Sequence, residues 1–272
     1  MSSVSETTAS ARGGVAAGCL ALLGAIGFLT RVPVGNSEAA WSALVRMPAV
    51  IVVVAYPLGM LLSAPVVLGI PAASAALLFP VVLLAVAGIT HLDGVADLGD
   101  AVVVHGGPEK RISVMRDTTV GVGAVAGVVL VFAGMALAAL ALAGAPWAVA
   151  LAIVVAAEAT ARASMVVLAA LGGATHEGMG SALTERLGAG TAVVAVALVA
   201  PAALWPAAAP LAGLSVPHAS PIAAVCGGFV AAGGVFWWAR RNLGGVNGDV
   251  FGAANELARV AALHAGVVVW SL

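Results

Sequence analysis

The sequence predicts an all-α fold, a polytopic integral membrane helical bundle of about seven to eight transmembrane helices. Hydrophobic residues make up 62% of the chain and charged residues only 8%, whereas soluble domains carry roughly 25% charged residues. Long uncharged runs, such as Met47 to Thr90, lack the strict alternation that a membrane β-barrel strand needs. Positive charges return at every second connection between the runs, which is typical of a multi-pass membrane protein.

Eight apolar segments are candidate spans, because a helix needs about 20 apolar residues to cross the hydrocarbon core. Residues 1–14 are polar and rich in Ser and Thr, and we expect a disordered N-terminal tail there. Residues 15–272 are predicted to form a single integral membrane catalytic domain. The candidate spans are 15–30, 47–69, 72–90, 119–143, 147–171, 191–213, 221–239 and 257–271.

Lysine and arginine residues predict which face of the bundle is cytoplasmic, because cytoplasmic loops are enriched in both. The connections that contain neither residue are 70–72, 144–146 and 214–220. We expect the alternate connections, which are also rich in acidic residues, on the cytoplasmic side of the bacterial inner membrane. These segments, which are predicted to hold the active-site loops, are 31–46, 91–118, 172–190 and 240–256.

The stretch HLDGVADLGD begins with His91 and contains Asp93, Asp97 and Asp100. If the helix over 72–90 continues through it, the three carboxylates fall at i, i+4 and i+7 on one face, where like charges repel. A bound cation removes this repulsion, and a ligand set of carboxylate oxygens suits Mg²⁺. The stretch therefore predicts a magnesium site. The alternative is a solvated helix end, and an oxygen-rich cluster disfavours zinc.

The stretch EKRISVMRDTTVG is typical of a cytoplasmic amphipathic helix that ends at Arg116 and Asp117. A basic residue beside a carboxylate and a glycine suits contact with a phosphate near a metal ion. We interpret Lys110 and Arg111 as the positive anchor of the following span, and that role is also the alternative for Arg116.

The stretch NLGGVNGDVFGAANEL places glycines ahead of a run with several polar side chains. Glycine-rich backbone that enters a helix presents N–H groups to anions. The stretch therefore predicts a phosphate or substrate contact, with a flexible connection as the alternative. It is not a Walker A loop, because the Gly-Lys-Ser/Thr is missing. The polar residues concerned are Asn247, Asp249, Asn255 and Glu256.

Three further features are weaker candidates for substrate contact. Glu158 and Arg162 are four residues apart inside a predicted span. Ionisable groups in a membrane are usually functional or paired, so a structural ion pair and a substrate-binding role for Arg162 both stay open. Arg31, in FLTRVP, marks a membrane boundary, and Glu177 lies in the glycine-rich loop THEGMG.

Carboxylates, arginines and glycine-rich loops on the cytoplasmic ends of membrane helices favour a Mg²⁺-dependent enzyme that transfers a phosphorylated group. A transporter is the competing class, but it would place its ionisable residues near mid-membrane, commonly with repeats. The scattered tryptophans and the net charge of −1 exclude nucleic acid as a partner.

Seven motifs occur in an order that resembles the cobalamin synthase family, also called CobS or adenosylcobinamide-GDP ribazoletransferase. The resemblance runs from about residue 20 to the C-terminus, and HLDGVADLGD together with MRD is its most specific part. The Asp-Gly-x-Ala portion alone is also similar to CDP-alcohol phosphotransferases of lipid synthesis, which are therefore the runner-up. The motifs are FLTRVPV, YPLGMLL, HLDGVADLGD, EKRISVMRDTTVG, ATAR, HEGMG and GGVNGDVFGAANEL.

The resemblance implies that the 5′-hydroxyl of α-ribazole, or of its 5′-phosphate, attacks the phosphate attached to adenosylcobinamide, so that GMP leaves. It implies Mg²⁺ as cofactor, and the partner expectations are a homo-oligomer or association with other cobalamin-assembly enzymes. Within the matching motifs we assign metal binding to Asp93, Asp97 and Asp249, and catalytic roles to Asp100 or His91 as base and Arg116 as phosphate contact. Substrate binding is assigned to Arg31, Asp117, Arg162, Glu177, Asn247 and Glu256.

The chain departs from the family pattern at three places. Thr118 and Thr119 stand where the family usually has Ser-Arg, so that one basic residue is missing. Asn247 and Val250 stand where the family has two threonines around Gly-Asp, so that two hydroxyls are lost. The tyrosine and arginine that usually precede Glu-Gly are replaced in the stretch of Ala174, Thr175 and His176. We expect these differences to affect substrate affinity or the identity of the base, since the acidic residues are retained.

Overall fold

The protein is all-helical in the computed structural model, which describes residues 2–35, 37–175, 179–207, 213, 216–217 and 219–272. Within these ranges there is no strand, and the only sheet-like contact is an isolated parallel bridge between Ala174 and Val246. Long apolar segments form helices because, in lipid, an isolated chain segment can satisfy its backbone polar groups only with itself. The all-α polytopic prediction is therefore confirmed.

Thirteen α-helices follow one another along the described chain. The first seven are α1 Ser2–Leu29, α2 Glu38–Arg46, α3 Val50–Val67, α4 Ala72–Ala87, α5 Thr90–Val103, α6 Pro108–Met115 and α7 Val122–Leu142. The others are α8 Trp147–Leu171, α9 Met179–Thr184, α10 Ala189–Ala197, α11 Ala200–Leu204, α12 Ala219–Asn242 and α13 Gly248–Ser271, with a 3₁₀ turn at Trp205–Ala207 after α11.

Every predicted span overlaps a helix, but in the described chain only five helical segments are long and apolar enough to cross a membrane by themselves. They are α3, α7, α8, α12 and the stretch Ala189–Ala207, and the bent pair α4–α5 makes six if it counts as one span. The apolar part of α1 is shorter. The last helix, α13, is long enough to cross a membrane, but it is not among the five spanning candidates. It carries the charged residues Asp249, Glu256 and Arg259. It begins at Gly248, well before the predicted start at residue 257.

The buried helix α8 lies at the centre of the bundle, where α3, α12 and α13 pack on it. Small residues permit these close approaches, as expected for helices in a membrane. A Cβ atom at Gly59 of α3 would lie 2.9 Å from Val155 Cα, and one at Gly228 of α12 would lie 2.7 Å from Thr160 Cγ2. The α7 helix instead exposes large apolar side chains, which suits contact with lipid.

The helix over 72–90 does not continue through the acidic stretch, contrary to our expectation. It ends at Ala87, Gly88 adopts a positive φ of 74°, and α5 starts at Thr90 in a direction turned by 106°. The left-handed conformation at Gly88 is one that glycine adopts without steric strain. As a result, α5 lies outside the five spanning helices and packs on α13 and α7.

Helix α1 begins at Ser2 and includes most of the predicted tail, residues 1–14. The helical backbone continues the apolar segment that follows it toward Leu29. The predicted division into a tail and one catalytic domain stays a prediction.

Candidate active site

The acidic residues of α5 lie on one helical face, as the spacing predicts. Helix α5 contains Asp93, Asp97 and Asp100 without interruption. Partial burial and the negative charges of Asp249, Asp93 and Asp100 raise the pKa of Asp97 from 3.8 to about 7. Negative charge from two separate motifs therefore accumulates around Asp97.

Two glycines allow α5 and α13 to cross at close range. A Cβ atom at Gly94 would lie 2.4 Å from the backbone oxygen of Asp249, and one at Gly252 would lie 3.0 Å from His91 Cα. A larger residue at Gly94 would force the helices apart, and one at Gly252 would press against the backbone of His91. This crossing brings Asp249, which is remote in sequence, next to the acidic face of α5.

The loop before α13 is fixed by a helix cap and by the loop after α8. Asn247 Oδ1 accepts the backbone N–H of Val250 at 2.9 Å, and its Nδ2 donates to Asp249 Oδ2 at 3.3 Å. Such N-caps stabilise the first turn of a helix. Val246 pairs with residues 173–175, since its N–H donates to Gly173 O at 2.8 Å. Asn247, which the sequence predicts to bind substrate, is only 5% exposed. Its side chain instead positions Asp249.

A cavity of about 230 Å³ lies beside the meeting point of α5 and α13. Its polar wall contains Thr90, His91, Asp93, Gly248 and Asp249. The other walls are apolar and come from α1, α2, α3, α8 and the α9 region, with Phe251 added by α13. A concave, mostly apolar site with a few convergent polar groups is the usual form of a small-molecule site.

Behind this wall, a buried ion network links α8 to α13. Arg259 donates to both carboxylate oxygens of Glu158, at 3.3 Å for the Nη2 contact, and it also pairs with Glu256. These three residues are at most 4% exposed. Arg259 was not among the predicted residues. Its spacing of three from Glu256 is the signal that identifies it, because residues at i and i+3 face each other on a helix.

Arg162 belongs to the same network and is 0% exposed. Its Nη1 donates to Asn255 Oδ1 at 3.1 Å and to His91 Nδ1 at 3.2 Å. The expected pairing with Glu158 is only a long contact of 3.8 Å, since Arg259 occupies that carboxylate. Burial places both Arg162 and Glu256 away from the cavity surface, so these contacts favour a positioning role over direct substrate contact.

The contact with Arg162 fixes the protonation of His91. A guanidinium group only donates hydrogen bonds, so His91 Nδ1 accepts and the ring carries its proton on Nε2. Burial and the positive charges of Arg162 and Arg259 lower the pKa of His91 well below 6.5, which keeps the ring neutral. His91 therefore presents an N–H donor on its free side, and this arrangement does not favour the predicted role as base.

Asp100 is engaged by the start of α7. Its two carboxylate oxygens accept the backbone N–H groups of Gly121 at 2.7 Å and Ala124 at 2.9 Å. A carboxylate stabilises a helix N-terminus through such bonds and through the helix dipole. This geometry favours an anchoring role for Asp100 over the predicted role as base.

Arg116 and Asp117 follow α6 directly, where the sequence predicts them, and both are exposed. Asp117 accepts hydrogen bonds from Thr119 N at 3.0 Å and Thr119 Oγ1 at 2.5 Å, which lower its pKa. Asp117 and Asp100 share a shallow groove at the start of α7. This groove is separate from the cavity that Asp93 and Asp249 line.

The remaining predicted residues are Arg31 and Glu177. Arg31 is exposed, and its side chain packs beside Gly88, at the break between α4 and α5. Its backbone N–H donates to Val86 O at 2.7 Å. Glu177 lies outside the described residues.

The acidic residues of α5 and α13 are the candidate ligands for the predicted magnesium ion. Among the described residues, no three His, Cys, Asp or Glu side chains converge closely enough to hold a metal ion. The predicted set of Asp93, Asp97 and Asp249 is therefore not assembled around one point. However, Mg²⁺ commonly uses one or two carboxylates together with substrate phosphates and water. Asp93 and Asp249, on one cavity wall, fit an ion that binds with the substrate.

Comparisons with known proteins agree on one family. Residues 21–267 match the family described as CobS, cobalamin-5-phosphate synthase. The chain is 47% identical over 261 residues to the adenosylcobinamide-GDP ribazoletransferase of Halorubrum lacusprofundi, which covers 92% of this chain and 98% of the relative. The protein of that name from Haloquadratum walsbyi is 40% identical over 263 residues, with 93% and 98% covered.

A more distant relative, the adenosylcobinamide-GDP ribazoletransferase of Methanocella arvoryzae, is 33% identical over 267 residues, with 92% of this chain and 96% of the relative covered. No solved structure matches the chain.

Proposed function

The chain belongs to the cobalamin-5-phosphate synthase family, and from this premise we infer that it is an adenosylcobinamide-GDP ribazoletransferase. It is a multi-pass membrane transferase of cobalamin synthesis that joins ribazole to adenosylcobinamide-GDP. In the proposed reaction the ribazole 5′-hydroxyl attacks the phosphate attached to cobinamide. The bond from that phosphate to the GMP phosphate breaks, GMP leaves, and the hydroxyl proton is released.

One observation carries the placement of this reaction in the fold. The crossing at Gly94 and Gly252 brings Asp93 and Asp249 from two distant motifs to one cavity wall. Phosphoryl transfer depends mainly on positioning and on stabilisation of charge around phosphorus. A rigid helix crossing that carries both carboxylates supplies the positioning.

We propose that Asp93 and Asp249 hold Mg²⁺ together with the substrate diphosphate, and that Asp97 adds negative charge beside it. When bound, the ion neutralises phosphate oxygens and lowers the pKa of an attacking hydroxyl. Asn247 orients Asp249 through its hydrogen bond at 3.3 Å. The neutral His91 lies on the same wall, and we assign its Nε2–H as a hydrogen-bond donor to an anionic group of the substrate.

Exposed arginines supply further positive charge for the phosphate groups of the substrate in this proposal. Arg31 lies beside the start of α5, and Arg116 follows α6. An arginine binds phosphate oxygens in a bidentate manner, so we assign Arg31 to the substrate diphosphate. Arg116, next to Asp117 of the separate groove, stays the predicted phosphate contact. We place these loops on the cytoplasmic side of the cell membrane, because they carry lysine and arginine residues.

The direct test uses purified full-length protein in lipid vesicles, supplied with adenosylcobinamide-GDP, α-ribazole and Mg²⁺. We expect GMP and a cobalamin to form in equal amounts. The α-ribazole 5′-phosphate in place of α-ribazole should give the cobalamin phosphate. EDTA should stop turnover, and added Mg²⁺ should restore it. Consumption of a CDP-alcohol, or uptake of solute without chemistry, would overturn the assignment.

A further inference from the structure

We propose that the apolar cavity beside Asp93 and Asp249 binds the aromatic base of ribazole, rather than the corrinoid or the guanine of adenosylcobinamide-GDP. This inference rests on the proposed function. Beyond that function, the inference specifies where one of the two substrates binds and which wall of the cavity determines the bases that are accepted.

The size of the cavity selects the ligand fragment. Its volume is about 230 Å³, whereas a cavity of roughly 150 Å³ already binds benzene and drug-sized ligands need about 300–1,000 Å³. A fused two-ring base therefore fits. A corrin macrocycle is several times larger and does not.

The chemistry of the walls separates a ribazole base from guanine. Outside the start of α5 and α13, the lining consists of apolar side chains, including Trp41, Ile51, Met165 and Leu183. Guanine carries donors and acceptors along two edges, and burying them without partners costs about 1–3 kcal/mol per group. The fused-ring base of ribazole is largely apolar and loses little against such walls.

Aromatic rings are available on two sides of the cavity. Phe28 of α1 and Trp41 of α2 pack with their ring centroids 5.7 Å apart and tilted by 55°, and Phe251 contributes from α13. Rings arranged in this way favour contact with a flat aromatic ligand.

The polar wall fixes the direction in which the riboside lies. Asp93, Asp249 and His91 are all on the α5–α13 side. A base held among the apolar walls places its ribose toward these groups, where the diphosphate is proposed to bind. This orientation puts the nucleophilic hydroxyl next to the phosphorus atom that it attacks.

The test changes the cavity without changing the acidic residues. Ala169→Phe, on the α8 wall, adds a ring to the cavity, and Met165→Ala enlarges it. We expect the KM for α-ribazole to rise about tenfold or more in both Ala169→Phe and Met165→Ala, as expected for a changed apolar pocket. The KM for adenosylcobinamide-GDP should stay within about twofold of the wild-type value.

Matched control variants make the same substitutions at exposed positions outside the cavity. Ala133→Phe on α7 and Met60→Ala on α3 are suitable because both native side chains are exposed. These controls should leave both KM values unchanged. If Ala169→Phe fails to fold, Met165→Ala still decides the matter, because it introduces no extra volume.

The outcomes separate the inference from the proposed function. A rise in the KM for α-ribazole alone supports the inference. A rise in the KM for adenosylcobinamide-GDP alone, or no change in either, overturns it while the transferase assignment stands. If the wild-type protein forms no cobalamin under the same conditions, the proposed function itself fails.

Discussion

At the scale of single residues, Asp93 and Asp249 are the side chains on which the proposed chemistry depends. Asp93→Asn and Asp249→Asn keep the shape but remove the charge that holds a cation against a diphosphate. We expect each to lower kcat by about a hundredfold or more, the loss seen when one electrostatic contact is removed. Glu109→Gln on α6, at an exposed position, is the matched control and should retain full activity. Near-normal rates in folded Asp93→Asn would remove it from the site.

Asp97 gives the site a pH dependence. Its pKa is about 7 in the folded protein against 3.8 for the ordinary group, so the folded state binds more protons between these values. Stability therefore falls as pH rises from about 4 to 7 and stays reduced above that range. In EDTA, we expect the Tm of the wild-type protein to fall more between pH 5 and 8 than that of Asp97→Asn. Equal slopes would contradict this assignment.

The same residues show what sequence can and cannot predict about a site. Carboxylates in an apolar chain stand out by type, so the sequence alone identifies Asp93, Asp97 and Asp249 as candidates. Their partners depend on which helices cross, which no local pattern contains. The pairing of Asp100 with α7 and of Arg162 with His91 therefore became visible only in the structure.

At the scale of elements, the approach of α5 to α13 controls the site. Gly94→Ala would place a Cβ atom 2.4 Å from Asp249 O, so the two helices must separate and move Asp249 away from Asp93. We expect a misplacement of this kind to lower kcat/KM about a hundredfold. The enzyme assay, with helical content checked by circular dichroism, measures this.

Gly234→Ala on α12 is the control for that substitution. A Cβ atom at Gly234 has nothing within 4 Å, so activity should persist. Helix stability should rise by roughly 0.5–1 kcal/mol, because alanine loses less backbone entropy than glycine. Full activity of Gly94→Ala would show that the close crossing is not needed.

The ion network joins α8 to α13 behind the cavity. Arg259→Met leaves the buried carboxylates of Glu158 and Glu256 without their main cation, which destabilises a protein by about 3–5 kcal/mol. We expect a lower Tm in detergent, partly restored by adding Glu158→Gln. Arg46→Met, at an exposed site where the side chain donates hydrogen bonds to Ser42 of its own helix, should have little effect. If the losses in Tm caused by Arg259→Met and Glu158→Gln simply added in the double variant, this result would contradict the pairing of Arg259 with Glu158.

Element boundaries were predictable where apolar composition alone decides them. The buried α8 spans residues 147–171 in both the prediction and the structure. The break at Gly88 was not predicted, since an apolar run carries no sign of a change in direction. The start of α13 at Gly248 was also missed, because its charged first turns pair within the protein rather than with water.

At the scale of the whole molecule, the arginine and lysine pattern assigns a direction to every helix. Lys110 on α6 should face the cytoplasm and Gly144, between α7 and α8, should face the other side. Both are exposed, and so are Cys19 and Cys226, the two native cysteines. We therefore use a variant in which Ala replaces both cysteines and one new cysteine is introduced at a time.

A membrane-impermeant maleimide applied to intact cells distinguishes the two faces. Gly144→Cys should react at once, whereas Lys110→Cys should react only after the membrane is permeabilised. The parent variant without cysteines should stay unlabelled, and its activity shows that the native fold is kept. The reverse labelling pattern would place Asp93, Asp249 and the cavity on the far side of the membrane. It would then separate the proposed site from cytoplasmic Mg²⁺ and nucleotide, and so contradict the proposed placement of the reaction.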